Sequence, residues 1–298
     1  MSDSSGVATV ERVLLLGAHG MLGSELAAGA PVDVALRAAD HADLDITHPD
    51  AVAAALDELR PDVVLNAAAY TRVDDAEREI DAALRVNATA VGELGRACAA
   101  RGIRVVHFGT DYVFDGRSDR PYAEDAPTSP VNRYGESKLR GERALLESAA
   151  EALVIRTQWL FGVHGRSFPR TMWQRARAGQ PTRVVADQTG RPTYTRDLAD
   201  AVWRLVSRRM VGVVHATNAG RATWYDVARV VFDAVGRPEL LEPCATSDYP
   251  TPAARPRYSV LATDRLERAL GAPLPEWRQA LERFLDQLRA EETATAAK

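Results

Sequence analysis

The chain has 298 residues, 46% of them hydrophobic, enough to bury one large core or two smaller ones. With 37 basic against 41 acidic residues and a net charge of -4, it lacks the basic excess of a general nucleic-acid binder. No apolar run approaches the roughly 18 residues of a membrane span. Residues 1–10 lack the layout of a secretory signal, and Cys98 and Cys244 have no metal-ligand spacing, so the sequence predicts a cytoplasmic protein with reduced thiols.

The first half alternates short apolar runs with helical stretches. An aliphatic run at 13–16 ends at Gly17, and residues 21–28 have helical composition. Strand character returns at 32–36, followed by a helix over 51–59 begun near Thr47 and Pro49, proline suiting a first turn. Further strands are expected at 62–66, 104–108 and 153–156, with helices over 81–100 and 134–148 between them. Continuously apolar strands separated by long helices predict a parallel sheet covered on both faces, a doubly wound α/β (Rossmann) fold. Beyond residue 160 the rhythm loosens. Helices are expected over 168–178, 195–209, 223–235 and 276–290, an extended run at 211–215, a loop or loop-built lobe at 243–256, and a frayed tail from 292. No internal repeat is found.

The first run enters Gly17-Ala-His-Gly20-Met-Leu-Gly23. Glycines at a strand-to-helix turn let the backbone approach a pyrophosphate and aim helix N–H groups at it; the alternative is a tight turn packing helix on strand. His19 reads as a loop filler. The second strand is expected to end at Arg37, a cation suited to a ribose 2′-phosphate and so to NADPH over NADH, or else simply solvated.

Tyr134 and Lys138, four residues apart on a helix, share one face. An ammonium beside a phenol favours the phenolate, so Lys138 is expected to draw the Tyr134 hydroxyl toward neutrality and make it a proton donor to a carbonyl oxygen receiving hydride. Thr110, beyond the strand at 104–108, is placed to hydrogen-bond the same oxygen, and Asp111 and Tyr112 to meet sugar hydroxyls; Asp111 could equally cap a turn. The small residues after Asn66 allow close cofactor approach, with Tyr70 along the nicotinamide side. Asn87 sits mid-helix, where asparagine is unfavourable; it bridges backbone to Lys138 through water or caps a kink.

With these residues in place, the chain resembles the dTDP-4-dehydrorhamnose reductase branch of the extended short-chain dehydrogenase/reductase family. The motifs that carry it include GAHGMLG, TDYVFDG (110–116), YGESKLRGE (134–142), RTQWLFG (156–162), DQTGRPT (187–193), TWYDVA (223–228) and ARPRYSVL (254–261). The resemblance implies hydride transfer from NADPH, or NADH, to the C4 ketone of dTDP-4-dehydro-6-deoxy-L-mannose. Tyr134 would be the proton donor, Lys138 its partner and a ribose ligand, and Thr110 an aid at the substrate oxygen. Gly17, Gly20, Met21, Leu22 and Gly23 would hold the pyrophosphate, Asp45 and Ile46 flank the adenine, and Ala68, Ala69 and Tyr70 line the groove. Thr71, Thr110, Asp111, Tyr112 and Trp159 would contact the dTDP-sugar. Arg255 would pair with its diphosphate or form a loop salt bridge, while Gln188 and Thr193 hold their loop by hydrogen bonds. It also implies a cofactor domain at 11–165, a substrate lobe from 166–194 and 241–290, and residues 195–240 packing back on the first domain.

One position departs from that pattern. Gly109 stands where the family has serine, which could alter a hydrogen bond near the nicotinamide or widen substrate choice. No metal is expected, and a homodimer is left open. Two rivals remain: a 4-ketoreductase of another dTDP-deoxysugar, and a non-catalytic NADP-binding regulatory subunit like that of methionine adenosyltransferase.

Overall fold

A computed structural model describes residues 12–148 and 150–296. The segment read for a secretory signal lies outside the described residues, as do the last two residues of the tail. In chain order the elements are β1 (Arg12–Leu16), α1 (Met21–Ala28), β2 (Ala35–Ala39), α2 (Pro49–Leu59), β3 (Val63–Asn66), α3 (Ile80–Leu84), α4 (Ala90–Ala99), β4 (Arg104–Thr110), α5 (Arg133–Leu146) and β5 (Ala152–Thr157). There follow β6 (Leu160–Phe161), α6 (Phe168–Arg177), β7 (Thr182–Val185), β8 (Thr189–Gly190), β9 (Thr193–Tyr194), α7 (Thr195–Ser207), β10 (Gly212–His215) and β11 (Ala222–Thr223). The chain ends with α8 (Trp224–Val235), β12 (Leu241–Cys244), α9 (Asp264–Leu270) and α10 (Trp277–Ala296).

Six strands form one parallel sheet in the order β10-β5-β4-β3-β1-β2. Successive side chains along a strand point to opposite faces. Val13 and Leu15 therefore pack with Leu22 and Leu26 of α1, Val202 of α7 and Leu266 of α9. Leu14 and Leu16 pack on the other face with Leu56 of α2, Leu94 of α4 and Leu145 of α5. Both faces are covered, as the run of apolar strands predicts. The strand order reverses at β1, so a crevice opens beyond the carboxyl ends of β1 and β3.

A second core gathers Phe161, Trp173, Tyr194, Phe232 and Phe284 between α6, α8 and α10. Here the sequence-based boundaries shift. α7 and β10 contribute to the sheet's core, whereas α8 buries Val227, Val231 and Phe232 in the second core. Conversely α9, inside the stretch assigned to the lobe, packs on the sheet. In each case the apolar stripe of the helix, not its place in sequence, selects the core it joins.

Four local expectations need correction. β2 begins three residues later than expected and ends at Ala39, so Arg37 is mid-strand, opposite Leu14, with an exposed side chain. The helix expected over 81–100 is broken by one π turn at Arg85–Thr89, which carries Asn87. Part of the loop at 243–256 is strand, because β12 pairs in parallel with β7. The tail expected to fray from 292 continues as helix to Ala296.

Candidate active site

The glycine turn is shaped by close backbone contact. Gly17 has φ +74, and a Cβ there would stand 2.7 Å from the Ala68 backbone nitrogen. α1 then starts with Gly20 as its N-cap and no side chain capping it, leaving first-turn N–H groups available to an anion. From this turn a groove of about 700 Å³ runs along the strand ends, lined by Gly17, Asp45, Ile46, Ala68, Ala69, Tyr70 and Thr71 among others. Tyr70 is on this wall, in a cluster against which Tyr134 packs: its hydroxyl donates to Glu79 at 2.9 Å, and its backbone N–H and C=O are both held by Asn87. Asn87 spends its remaining amide hydrogen on the Ser137 hydroxyl, so it fixes the π turn against Tyr70 and α5.

Arg37 does not line this groove. The residue past the end of β2 is Asp40, whose carboxylate lies 2.7 Å from His19 Nδ1 and accepts from the N–H groups of Ala42 and Asp43. A carboxylate there is the usual partner of a ribose hydroxyl. The sequence reading missed it because the misplaced strand put Arg37 at the end, so Arg37 does not account for the expected NADPH.

A second cleft, of about 540 Å³, shares Gly20, Ala67, Ala69 and Thr71 with the first and continues over Met21, Leu22 and Gly23 to Thr110, Tyr134 and Lys138. α5 is set directly on the turn after β4: Asn132 caps it by accepting from the Gly135 N–H at 2.8 Å. Any side chain at 135 would collide with the Tyr112 carbonyl, since a Cβ would come within 2.1 Å of it. That contact brings the Tyr134 ring edge-on to Tyr112 at 5.9 Å between centroids.

Within this centre, two expectations change. The Tyr134 phenol is pushed up, not down, by burial and by the negative charge of Asp111, with the Thr110 hydroxyl acting weakly the other way. Lys138 does not offset this, because its Nζ is turned 3.2 Å from His107 Nε2. Tyr134 therefore stays protonated at neutral pH, the form a proton donor needs. Lys138 itself is buried and lowered to about 8, with Glu142 opposing the shift. Thr110 donates to Asp111 Oδ1 at 3.2 Å and accepts from the Tyr112 N–H, so its proton is directed at the carboxylate. Asp111 is 2% exposed, is raised to about 6 by desolvation, and accepts from Gln158 at 3.2 Å.

Gly109 lines this cleft with its backbone, while a side chain there would point at the buried Arg156–Glu142 pair, 3.0 Å from Arg156 Cγ and 3.3 Å from Glu142 Oε2.

Toward the second core the cleft is bounded by Trp159, which adopts φ +48 and stacks on Trp224 at 3.6 Å. The Thr223–Asp226 capping box starts α8 and sets Trp224 in its first turn. Past them a further cleft of about 430 Å³ shares Tyr112 and Trp224 and is lined by Arg175, Arg183 and Arg255. Arg255 is not free for a diphosphate: its Nη1 and Nη2 both donate to Asp74, at 2.9 and 2.8 Å. Of the readings weighed for it, the salt bridge is the arrangement observed. Gln188 and Thr193 hold their loop through Thr246, Trp224 and the Arg191 carbonyl. Sequence reasoning assigned no role to Asp40, His107, Gln158 or Trp224; a signal existed only for Trp224, in the capping box. Among the described residues no cluster of His, Cys, Asp or Glu is arranged to hold a metal ion, and no helix is long and apolar enough to cross a membrane.

Comparison with known proteins agrees with this geometry. The family model described as the RmlD substrate binding domain matches residues 11–290. A probable dTDP-4,6-dihydroxy-2-methyloxan-3-one 4-ketoreductase of Streptomyces antibioticus is 48% identical, covering 95% of this chain and 98% of the relative. A dTDP-4-dehydrorhamnose reductase of Burkholderia thailandensis is 41% identical, covering 91% and 96%. The crystal structure of dTDP-4-dehydrorhamnose reductase from Bacillus anthracis in complex with NADP superposes with TM-score 0.90 at 34% identity, over 94% of this chain and all of that one. By sequence and fold, the chain belongs to the dTDP-4-dehydrorhamnose reductase family.

Proposed function

We propose that the protein is an NADPH-dependent oxidoreductase that reduces the C4 ketone of dTDP-4-dehydro-6-deoxy-L-mannose to dTDP-L-rhamnose, working in the cytoplasm. One observation carries the reading: Thr110, Tyr134 and Lys138 line one cleft, which shares Gly20, Ala67, Ala69 and Thr71 with the groove from the glycine turn. The groove fits a nicotinamide dinucleotide. Its glycine turn has no room for side chains, α1 presents its N-terminus to a pyrophosphate, and Asp40 and Asp45 are within it. NADPH would supply the hydride when bound, the Bacillus anthracis relative being in complex with NADP; Asp40 also suits the unphosphorylated ribose of NADH.

The chain's own residues supply the rest. Tyr134, held as the neutral phenol, gives its proton to the ketone oxygen as that oxygen gains charge. Lys138, one turn along α5, reaches the phenolate left behind and the ribose only by turning from His107. Burial keeps water from Lys138, while Tyr134 is half-buried and faces the cleft. Trp159 and Trp224 offer a flat apolar face to the sugar, and Arg175 offers charge to the diphosphate, whereas Arg183 is paired with Asp248 at 3.1 Å.

The experiment is NADPH oxidation with substrate generated by a 3,5-epimerase, and identification of the product by NMR. dTDP-L-rhamnose is the expected product. A different dTDP-6-deoxysugar would favour the second reading, a 4-ketoreductase of another pathway, to which the 48% identity to the Streptomyces antibioticus protein points. Tight NADPH binding with no turnover on any such ketone would refute both and favour the regulatory role. Light scattering of the same sample decides the homodimer.

A further inference from the structure

The mechanism above does not use His107, yet its imidazole is 1% exposed, on β4 directly beneath Lys138. It is the middle of a buried chain. Asn66 Nδ2 lies 3.2 Å from His107 Nδ1, and His107 Nε2 lies 3.2 Å from Lys138 Nζ. Asn66 and Lys138 are 0% and 3% exposed, so the partners of this chain are supplied from within the protein.

Hydrogen-bond accounting makes the chain restrictive. The Asn66 amide is oriented by the Ala68 N–H, which donates to its Oδ1 at 3.2 Å. The Asn66 NH2 group therefore faces Nδ1 and favours a lone pair there, against the Asn66 backbone carbonyl, which favours the protonated ring. Nε2 then bears the ring proton and aims it at Nζ. An N–H cannot donate to an ammonium, so this arrangement accommodates Lys138 only as the neutral amine. The opposite arrangement needs Nε2 bare, Nδ1 protonated and the Asn66 amide reversed, which leaves the Ala68 N–H facing an NH2 group.

We propose that His107 is a positioning residue for Lys138: the orientation of the Asn66 amide selects the His107 tautomer, and that tautomer selects whether Lys138 is held as amine or ammonium. The charges around Nζ fit a group poised between the two forms. Glu142, one turn on along α5, favours the ammonium, but it is engaged by Arg156 of β5. Tyr134, one turn back, is neutral, and Asp111 at the end of β4 acts on it and not on Lys138. Burial lowers Lys138, and burial together with Lys138 lowers His107, so the two do not carry charge at once. The role in catalysis rests on the proposed reductase reading; the coupling of the three side chains does not.

The sequence offers a direct test, because it contains two lysines, Lys138 and Lys298. Protein labelled with 13C at lysine Cε and 15N at histidine gives two lysine signals, which a Lys298→Arg variant assigns. The expected result for the cofactor-free protein is a Lys138 titration at least one unit below an ordinary lysine (~10.4). The His107 ring nitrogens should exchange tautomer, Nε2–H above the midpoint and Nδ1–H below, with the same midpoint. Asn66→Asp, whose carboxylate accepts only from Nδ1–H, should hold His107 in that tautomer and keep Lys138 charged across the range. Should this variant fail to fold, the wild-type titration decides alone. His107 signals unmoved while Lys138 titrates, or Lys138 charged throughout, would overturn the proposal. In turnover assays the basic limb of the kcat/KM profile should follow the Lys138 midpoint, and move up in Asn66→Asp. Absent turnover with intact co-titration refutes the reductase reading and leaves this coupling standing.

Discussion

Asp111 is a carboxylate enclosed by Thr110, Gln158 and the segment around Ser259, and its burial has a measurable cost. Its titration is raised from 3.8 to about 6, with desolvation as the largest cause. Two units correspond to roughly 3 kcal/mol between the charged and neutral forms. Because the native value lies above the unfolded one, the native state favours the protonated acid. The stabilising contribution is fully present below pH 3.8 and is lost as pH rises through about 6. Asp111→Asn is neutral at every pH. Its carbonyl can still accept from Gln158, and its NH2 group can donate to the Thr110 oxygen, turning that hydroxyl's proton toward the cleft. Whatever fixed difference this exchange makes does not vary with pH. The variant should therefore gain on the wild type between pH 4 and 6, by about 3 kcal/mol once complete. At about 2 °C per kcal/mol for a chain of this size, Tm should rise by about 6 °C relative to the difference at pH 4. Thermal unfolding of both proteins from pH 4 to 8 measures it. A gap between them that stays flat with pH, or that closes above pH 6, refutes the burial argument.

Three further substitutions probe separate parts of the site. Asp40→Ala should raise the preference for NADPH over NADH severalfold, read from dissociation constants by calorimetry, while Arg37→Ala should leave the ratio unchanged; the reverse pattern would restore the sequence-based reading of Arg37. Gly109→Ser should fold and retain kcat within about threefold, since the hydroxyl would face Glu142; a large change in kcat would tie this side chain to the nicotinamide side. Asn87→Leu removes three buried hydrogen bonds from the π turn, to the Tyr70 N–H, the Tyr70 carbonyl and the Ser137 hydroxyl. It should cost about 3 kcal/mol or more in urea unfolding, and a loss under 1 kcal/mol would contradict the role given to that turn.

The parts of the site that were legible in the sequence are those whose chemistry lies within a few neighbouring residues. The glycine turn and the Tyr134–Lys138 spacing each state their geometry locally, through a turn and a helical face. What was not legible depends on contacts between distant segments. Gln158 reaches Ser259 across 101 residues, and His107 meets Lys138 across 31, from a strand that reads as merely apolar. Arg255 looks like an anion ligand until the fold brings Asp74 to it, 181 residues away in sequence. β2 was displaced because the edge strand has the small, half-exposed sequence ALRAA, a weaker signal than the apolar residues before it. The π turn escaped because a single extra residue in a helical pattern leaves its overall periodicity intact.

The central claim is that Tyr134 donates the proton while hydride reaches C4 of a dTDP-keto-sugar in the cleft that Thr110, Tyr134 and Lys138 line. NADPH carrying deuterium at its transferable position, incubated with epimerase-generated substrate and either wild-type protein or Tyr134→Phe, tests it most directly. The account predicts deuterium at C4 of the product sugar with the wild type. With the variant it predicts labelling slowed by at least about a hundredfold, while NADPH affinity, measured by fluorescence titration, changes only a few-fold. Labelling by Tyr134→Phe at a rate close to wild type, or deuterium at a carbon other than C4, would contradict it.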